Sequence, residues 1–343
     1  MVDQSGAIHL HTTYSDGTGT WNEVMQYVQE SKLDYLITTD HNTLEPLHRG
    51  LDGFKGDCLV VAQTELNDAE DKNHYIALDV TKIPDKIIPV EEYVKFVKDQ
   101  GGIGIIAHPH EHRHELDYPA YPWERWDLPY DGIELWNQLS AWKETLTRWN
   151  KVWRYIKPNM TLRLPAQETI DKWDEANLER DVIGIFGIDA HALKHKAAGL
   201  FTFTVFPYKV HFKSLRTVVL VPGPLKNYPV DEAKKILFDA YRKGRLHCVN
   251  HRLGNGIGFR FWSEHSNQDV LWPGSTIKFE TGWTLLTKSP DPCQLRLIRN
   301  GVLYKETFGH ELSISIDEPG VYRIEAHKKE RGWLYTNPIR FRK

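Results

Sequence analysis

Short apolar runs, each closed by polar residues, set the frame of the first two thirds of this 343-residue chain. They fall at Ala7–His11, Tyr35–Asp40, Cys58–Glu65, His74–Val80, Gly102–His108, Gly132–Asn137 and Val182–Asp189, with another at Thr217–Val221. Runs of this length, rich in Val, Ile, Leu and Tyr, predict strands. Helical patterns separate several of them, at Val90–Gln100, Gln167–Glu179 and Asp231–Lys243. Trp142, Leu146, Trp149, Val152, Trp153 and Ile156 also share one face at helical spacing. Strands alternating with helices predict parallel βα units, and seven or eight of them suggest a closed or distorted barrel.

The pattern changes near Gly244. From there to Lys343 the segments Gly258–Trp262, Thr276–Glu280, Gln294–Arg299, Leu312–Ile316 and Val321–Ala326 alternate, with no long helix among them. Asn300-Gly301 between two runs is a hairpin signal, and Pro319-Gly320 marks a further turn. The expectation is an α/β domain over 1–244 followed by a small all-β, immunoglobulin-like sandwich over 245–343.

Composition narrows the function classes. No stretch has the length and apolarity of a membrane helix, and no charged-then-apolar leader opens the sequence, so the cytoplasm and no membrane partner are expected. A net charge of -3 argues against a nucleic-acid-binding polycation. Three cysteines far apart, with no CxxC pair, argue against a thiolate zinc site or a disulfide framework. The anomaly is the 17 histidines, because imidazole is the commonest metal ligand.

Those histidines, with several carboxylates, punctuate the ends of the apolar runs. His9 and His11 are two apart on a strand, so both should point to one face. Asp16 lies in a Ser15-Asp16-Gly17 turn, and Thr39-Asp40-His41, Glu65, His74, His108-Pro109 and Asp189-Ala190-His191 follow in order. In barrels of βα units the active site forms at the C-terminal ends of the strands, so these segments could converge on one mouth. Imidazoles mixed with carboxylates suit zinc, manganese or iron, and Glu65 could bridge two ions. Singly, each residue has a plainer reading: His74 as a satisfied, partly buried histidine, Asp16 as a turn residue, Asp40 and Asp189 as helix caps. Thr39-Asp40 could also orient the neighbouring imidazole.

Taken in order, these motifs resemble the PHP (polymerase and histidinol phosphatase) family of metal-dependent phosphoesterases over roughly residues 6–245. The resemblance implies a distorted (β/α)7 TIM-like barrel and two or three divalent metal ions. One ion would take His9, His11, Glu65 and Asp189; a second would share Glu65 and add His74 and His108; a third would take His41 and His191, helped by Asp16. Some relatives carry a histidine where this chain has Gly17. The C-terminal segment resembles the extra domain of some two-domain members. The activity implied is hydrolysis of a small phosphoester, a nucleotide or a sugar or metabolite phosphate, by a metal-bound hydroxide, with Asp16, Glu65, His191 and His195 as catalytic candidates. His195 is weighed as a general acid against a structural role.

For the substrate, His110, Arg113 and Lys194 are the contact candidates, with Arg148 and Lys196 as further cations. His110, His112 and His114 read equally well as a solvated loop. Trp123, Trp126, Trp136 and Trp142 could wall a pocket mouth or simply pack, while Glu134 and Asn137 could reach the site from the sixth run. Two rivals stand beside this reading. One is amide or ester hydrolysis on the same cluster; the other is a metal-stabilised binding protein without activity.

Overall fold

The computed structural model describes residues 1–113, 119–156, 162–197, 201–265 and 270–343, without the side chains of 151–152, 156, 195–197 and 201–203. Its strands are β1 (Val2–Ile8), β2 (Tyr35–His41), β3 (Gly53–Lys55), β4 (Cys58–Leu66), β5 (Tyr75–Leu78), β6 (Ile103–Ile106), β7 (Gly132–Asn137), β8 (Ile183–Gly187), β9 (Lys194–Ala197), β10 (Phe201–Thr204), β11 (Leu215–Val221) and β12 (Leu246–Asn250). The C-terminal strands are β13 (Arg260–His265), β14 (Thr276–Lys278), β15 (Trp283–Arg299), β16 (Val302–Ser315), β17 (Gly320–Lys328), β18 (Arg331–Thr336) and β19 (Ile339–Arg342). Its α-helices are α1 (Trp21–Ser31), α2 (Glu45–His48), α3 (Val90–Asp99), α4 (Gln138–Glu144), α5 (Lys151–Ile156), α6 (Gln167–Glu179), α7 (Tyr208–His211) and α8 (Val230–Arg242). No helix among the described residues is long and apolar enough to cross a membrane.

The architecture is mixed α/β around one large sheet, with β9 and β10 forming a separate hairpin. Strands β1, β2 and β4 run parallel, as do β6, β7 and β8. Between these sets β5 runs antiparallel to both β4 and β6. This corrects the expectation of parallel units throughout. The link from Leu66 to Tyr75 is too short for a crossover helix, so the chain can only turn back on itself. Strand β8 rejoins β1 through an isolated Leu10–Ala190 bridge and the Ile188 N–H on the Ile8 carbonyl at 3.0 Å, not through a regular ladder.

One further expectation is revised. The shared tryptophan face does not form one helix: Thr147 and Asn150 bond each other's backbone amides with their side chains and break it between α4 and α5. Trp142 and Leu146 before that break are buried, but Trp149 within it is 90% exposed. Helix α1 carries a capping box, with Thr20 accepting from the Glu23 amide and Glu23 accepting from the Thr20 amide.

Large apolar side chains beneath α1, α3 and α8 form the main core, and a second core contains Phe259, Trp283, Leu295, Ile324, Trp333 and Phe341. The sheet is continuous between them, because β11 pairs with β12 and β12 pairs with β18. Helix α6 locks the two regions together. Arg323 of β17 places Nε and Nη2 on the two oxygens of Asp174, both at 2.7 Å, and Nη1 on Glu325 at 2.7 Å. Arg340 of β19 bonds the Asn177 carbonyl oxygen.

Burial alone would push the Glu325 carboxyl up, but His327 and Arg323 hold it down at about 2. A carboxyl depressed by folding stabilises the fold above its unfolded value, near 4.5 here, and loses that contribution as pH falls toward 2. Glu325→Gln should therefore be less stable than the native protein at pH 6, and the gap should shrink below pH 4.5. Urea midpoints at pH 6, 4.5 and 3 would test this; a gap independent of pH would refute it.

Candidate metal centre

The site gathers where the parallel strands end. Strand β1 stops at Ile8, and His9 turns into the left-handed region at φ 71°. His9 and His11 thus meet on one side through a backbone twist, not through the strand alternation expected from the sequence. Two more site residues are left-handed, His108 after β6 at φ 27° and Asp189 after β8 at φ 48°. Non-glycine residues seldom adopt this conformation, and when they do they concentrate at functional sites.

Glu65, near the end of β4 and fully buried, is the hub. Its Oε2 lies 2.9 Å from His9 Nε2, 3.1 Å from His11 Nε2 and 3.7 Å from His41 Nδ1. Its Oε1 lies 2.9 Å from His74 Nδ1 and 3.3 Å from His108 Nε2. Asp189 Oδ1 sits 3.6 Å from His9, 3.5 Å from His11 and 3.2 Å from His191. Asp16 reaches His191 at 3.1 Å from the more exposed side. All nine ligand candidates from the sequence are brought into one cluster.

The donors fall into four groups able to hold a cation: His9, His11 and Glu65; His41, Glu65 and His74; His9, His108 and Asp189; and His11, Asp16, His41 and His191. This partition differs from the expected one, since His41 also faces Glu65, and His108 also faces His9 and Asp189. Gly17 has a steric cause. A Cβ there would collide with the backbone of His11, so no histidine fits at that position in this turn, and Asp16 supplies the donor instead.

Electrostatics also favour a cation. Burial would lower the His9 imidazole, yet Glu134, Glu65 and Asp189 raise it well above its usual range. Burial opposes charge on His74 and His191 as well, but Glu65 beside the first and Asp189 beside the second lift each to about 10. Against the same penalty, the histidines hold Glu65 and Asp189 well below the carboxylate range. Yet His11 Nδ1 and Nε2, His41 Nδ1, His74 Nε2 and His108 Nδ1 are buried without a hydrogen bond. Buried polar atoms are rarely left so. His11 Nε2 and His41 Nδ1 among them converge on the same Glu65 oxygen without hydrogen-bond alignment, which fits metal ligation.

A supporting shell fixes the donors. His9 Nδ1–H donates to Glu134 Oε1 at 2.8 Å, and Glu134 Oε2 accepts the His108 amide at 2.8 Å. Asn137 donates to Glu134 at 2.9 Å and to Asp189 at 3.3 Å. Both residues at the end of β7 therefore do reach the site. Asp40 does not orient an imidazole; it accepts from the Thr12 amide and hydroxyl and from Ser15, which pins the turn carrying Asp16. Tyr208 of α7, which the sequence gave no reason to single out, donates to the His11 carbonyl at 2.8 Å and accepts from the Gly19 amide.

Glycine at 187 leaves room for this shell, because a methyl there would collide with the Glu134 carboxylate. Gly187→Ala should weaken metal binding by roughly 10–100-fold, the usual cost of losing a partner that orients a ligand. Chelator competition would measure it, and unchanged affinity would remove Glu134 from the role.

Above the cluster opens a cavity of about 510 Å³, within the range of small-molecule sites. Tyr121, stacked on His74 with ring centres 5.0 Å apart, Glu111, Asp71 and Lys143 line it with the cluster. None of these four was foreseen. Lys143 is the one lysine or arginine among the described lining residues.

The expected substrate contacts lie elsewhere. His110 bonds Thr169 and stacks on Trp126, lining a different cleft. His112 pairs with Glu168 at 2.5 Å. Arg113 is committed to Glu111 at 2.8 Å and does not line the cavity. Lys194 and Arg148 are exposed and do not line it either. The side chains of His195 and Lys196, and all of His114, lie outside the described residues. None of the four tryptophans walls the mouth. Trp123, Trp136 and Trp142 are buried against Tyr75, Phe186 and Phe206, and Trp126 sits between His110 and Tyr130.

No family model and no curated protein matches the chain. Among solved structures it is similar to a putative metal-dependent phosphoesterase from Bifidobacterium adolescentis ATCC 15703, at 15% identity and TM-score 0.34, over 54% of this chain and 87% of that one. It is similar to an amidohydrolase from Chromobacterium violaceum with bound sulfate and no metal, at 13% identity and TM-score 0.33, over 59% and 92%. Over 98% of its length it is similar to a two-domain protein from Bacteroides vulgatus ATCC 8482 containing a predicted PHP-like metal-dependent phosphoesterase, at 14% identity and TM-score 0.45, covering 95% of that chain.

Proposed function

We propose that this chain is a metal-dependent hydrolase of small phosphoesters, such as a nucleotide or a sugar or metabolite phosphate. The observation that carries the reading is Glu65, whose two oxygens face separate sets of histidine nitrogens, as a carboxylate bridging two ions would. Two or three divalent ions, zinc, manganese or iron by donor chemistry, would supply a water of lowered pKa and positive charge for the phosphoryl oxygens.

The protein's own part is positional. Glu134 and Asn137 hold His9 and Asp189 in place. Buried walls keep bulk water from the inner face of the cluster, where charge interactions are strongest. Lys143 offers the cavity a cation for an anionic substrate, and Tyr121, stacked on His74, supplies an aromatic wall. No side-chain nucleophile is required, so no covalent phospho-enzyme should accumulate. In this reading residues 1–244 form a distorted seven-stranded barrel domain, and 245–343 an immunoglobulin-like sandwich.

Elemental analysis of the purified chain, followed by assays on phosphomonoesters, phosphodiesters and amides, tests the proposal. Two or three equivalents of zinc, manganese or iron, with phosphate released, are expected. A metal-loaded protein that cleaves amides but no phosphoester would overturn the substrate class. A chain that cannot be loaded would overturn the enzyme.

A further inference from the structure

A second cavity, of about 520 Å³, lies away from the cluster, beside the start of β2. Asp34 lines it and immediately precedes β2, whereas His41 at the far end of that strand belongs to the metal centre. Seven strand residues at about 3.3 Å each separate the two by roughly 20 Å. The cavity is built from segments gathered around the start of β2: Lys32 follows α1, Lys213 lies just past α7, Arg216 is near the start of β11, and Arg252 sits in the turn after β12.

Four cations thus face one space, and among the described residues none of them makes an ion pair. The nearby carboxylates Asp34 and Glu30 act on Arg216 and Lys213 only at a distance, and their direct partners are others. Glu30 is paired with Lys209 at 2.7 Å, and Asp34 accepts the Ser5 amide at 2.7 Å. Arg216 is almost fully buried; it gives Nε and Nη2 to the carbonyls of Phe212 and Ser31, leaving Nη1 with only a 3.4 Å contact to Ser5. Partial burial pulls the Arg252 guanidinium down, with no carboxylate to offset it. Elsewhere, buried arginines such as Arg323 are matched by carboxylates. Desolvated charge is costly unless it is paired, so buried Arg216, with only Asp34 near it, and the exposed Lys32, Lys213 and Arg252 around the same cavity are matched to an anion that enters it. Asn255 and Ile257, in a turn whose Gly254, Gly256 and Gly258 all take positive φ, complete the wall.

We infer that this cavity is a second anion site, separate from the metal centre, which takes a small phosphorylated ligand carrying at least two negative charges on Lys32, Lys213, Arg216 and Arg252. It does not depend on the function proposed for the cluster.

Pyrophosphate is the probe, titrated calorimetrically into the full chain in the presence of chelator, so that metal-borne phosphate binding is removed. One pyrophosphate should bind the native protein and the His9→Ala variant with equal affinity. The Lys213→Ala/Arg252→Ala double variant, whose side chains are exposed, should bind at least tenfold more weakly with an unchanged circular dichroism spectrum and metal content. Loss of binding in His9→Ala would place the anion on the cluster and overturn the inference. Unchanged affinity in the double variant, or no heat with the native protein at millimolar pyrophosphate, would overturn it as well.

Discussion

Glu65→Gln is expected to lose at least two metal equivalents together and to lower turnover by at least roughly 10³-fold, which is about 4 kcal/mol of barrier. The double loss follows from geometry, since one carboxylate touches both sets of histidines. An amide keeps the size of the side chain, but it offers one carbonyl oxygen and an NH2 that repels a cation. The NH2 group would point at one set of imidazoles whichever way the amide turned. Metal content by elemental analysis and rate on an active phosphoester should fall in step. Full occupancy with full rate would remove Glu65 from the centre; loss of one ion only would make it a terminal ligand.

The second large effect is structural. Arg323→Ala is expected to destabilise the protein by about 3–5 kcal/mol, because Asp174 and Glu325 would be left buried without their partner. The loss should be smaller in an Asp174→Ala/Arg323→Ala double variant than the sum of the single changes. Chemical denaturation followed by tryptophan fluorescence can read both, since Trp173 lies under the guanidinium at 5.1 Å. Strict additivity would mean that the pair does not act as a unit.

Much of the centre was legible in the sequence because its donors end apolar runs, where strand geometry delivers them to a common rim. His9, His41, Glu65, His108 and Asp189 all follow that rule. The Asn300-Gly301 hairpin was legible for a similarly local reason: the turn between β15 and β16 has φ of 52° and 80° at these residues. Strand direction was not legible. The β5 segment is apolar throughout, and such a run reads the same whether its neighbours are parallel or antiparallel. Strand β15 was foreseen only in its second half, because Pro290 and Pro292 look like breakers; they fall in the irregular stretch between Lys288 and Cys293, where the ladder tolerates them. Tyr121 and Glu111 carried no signal, since a loop residue beside a cavity has no period to betray it, and Lys143 reads as an ordinary lysine in the last turn of α4. Arg113 looked like a substrate cation because the sequence does not show that a carboxylate two residues earlier already holds it.

The pairing of β12 with both β11 and β18 bears on how separable the two halves are. The change of pattern near Gly244 invites a cut there, yet β12 lies just beyond it. A fragment ending at 244 would lose the neighbour of β11 and leave a row of unsatisfied backbone donors and acceptors along an apolar strand. Such an edge recruits other chains. The C-terminal region therefore serves the first as a selvedge does woven cloth: it finishes a border that would otherwise fray into self-association, and any partner or gene fusion acting on this protein has to respect that seam.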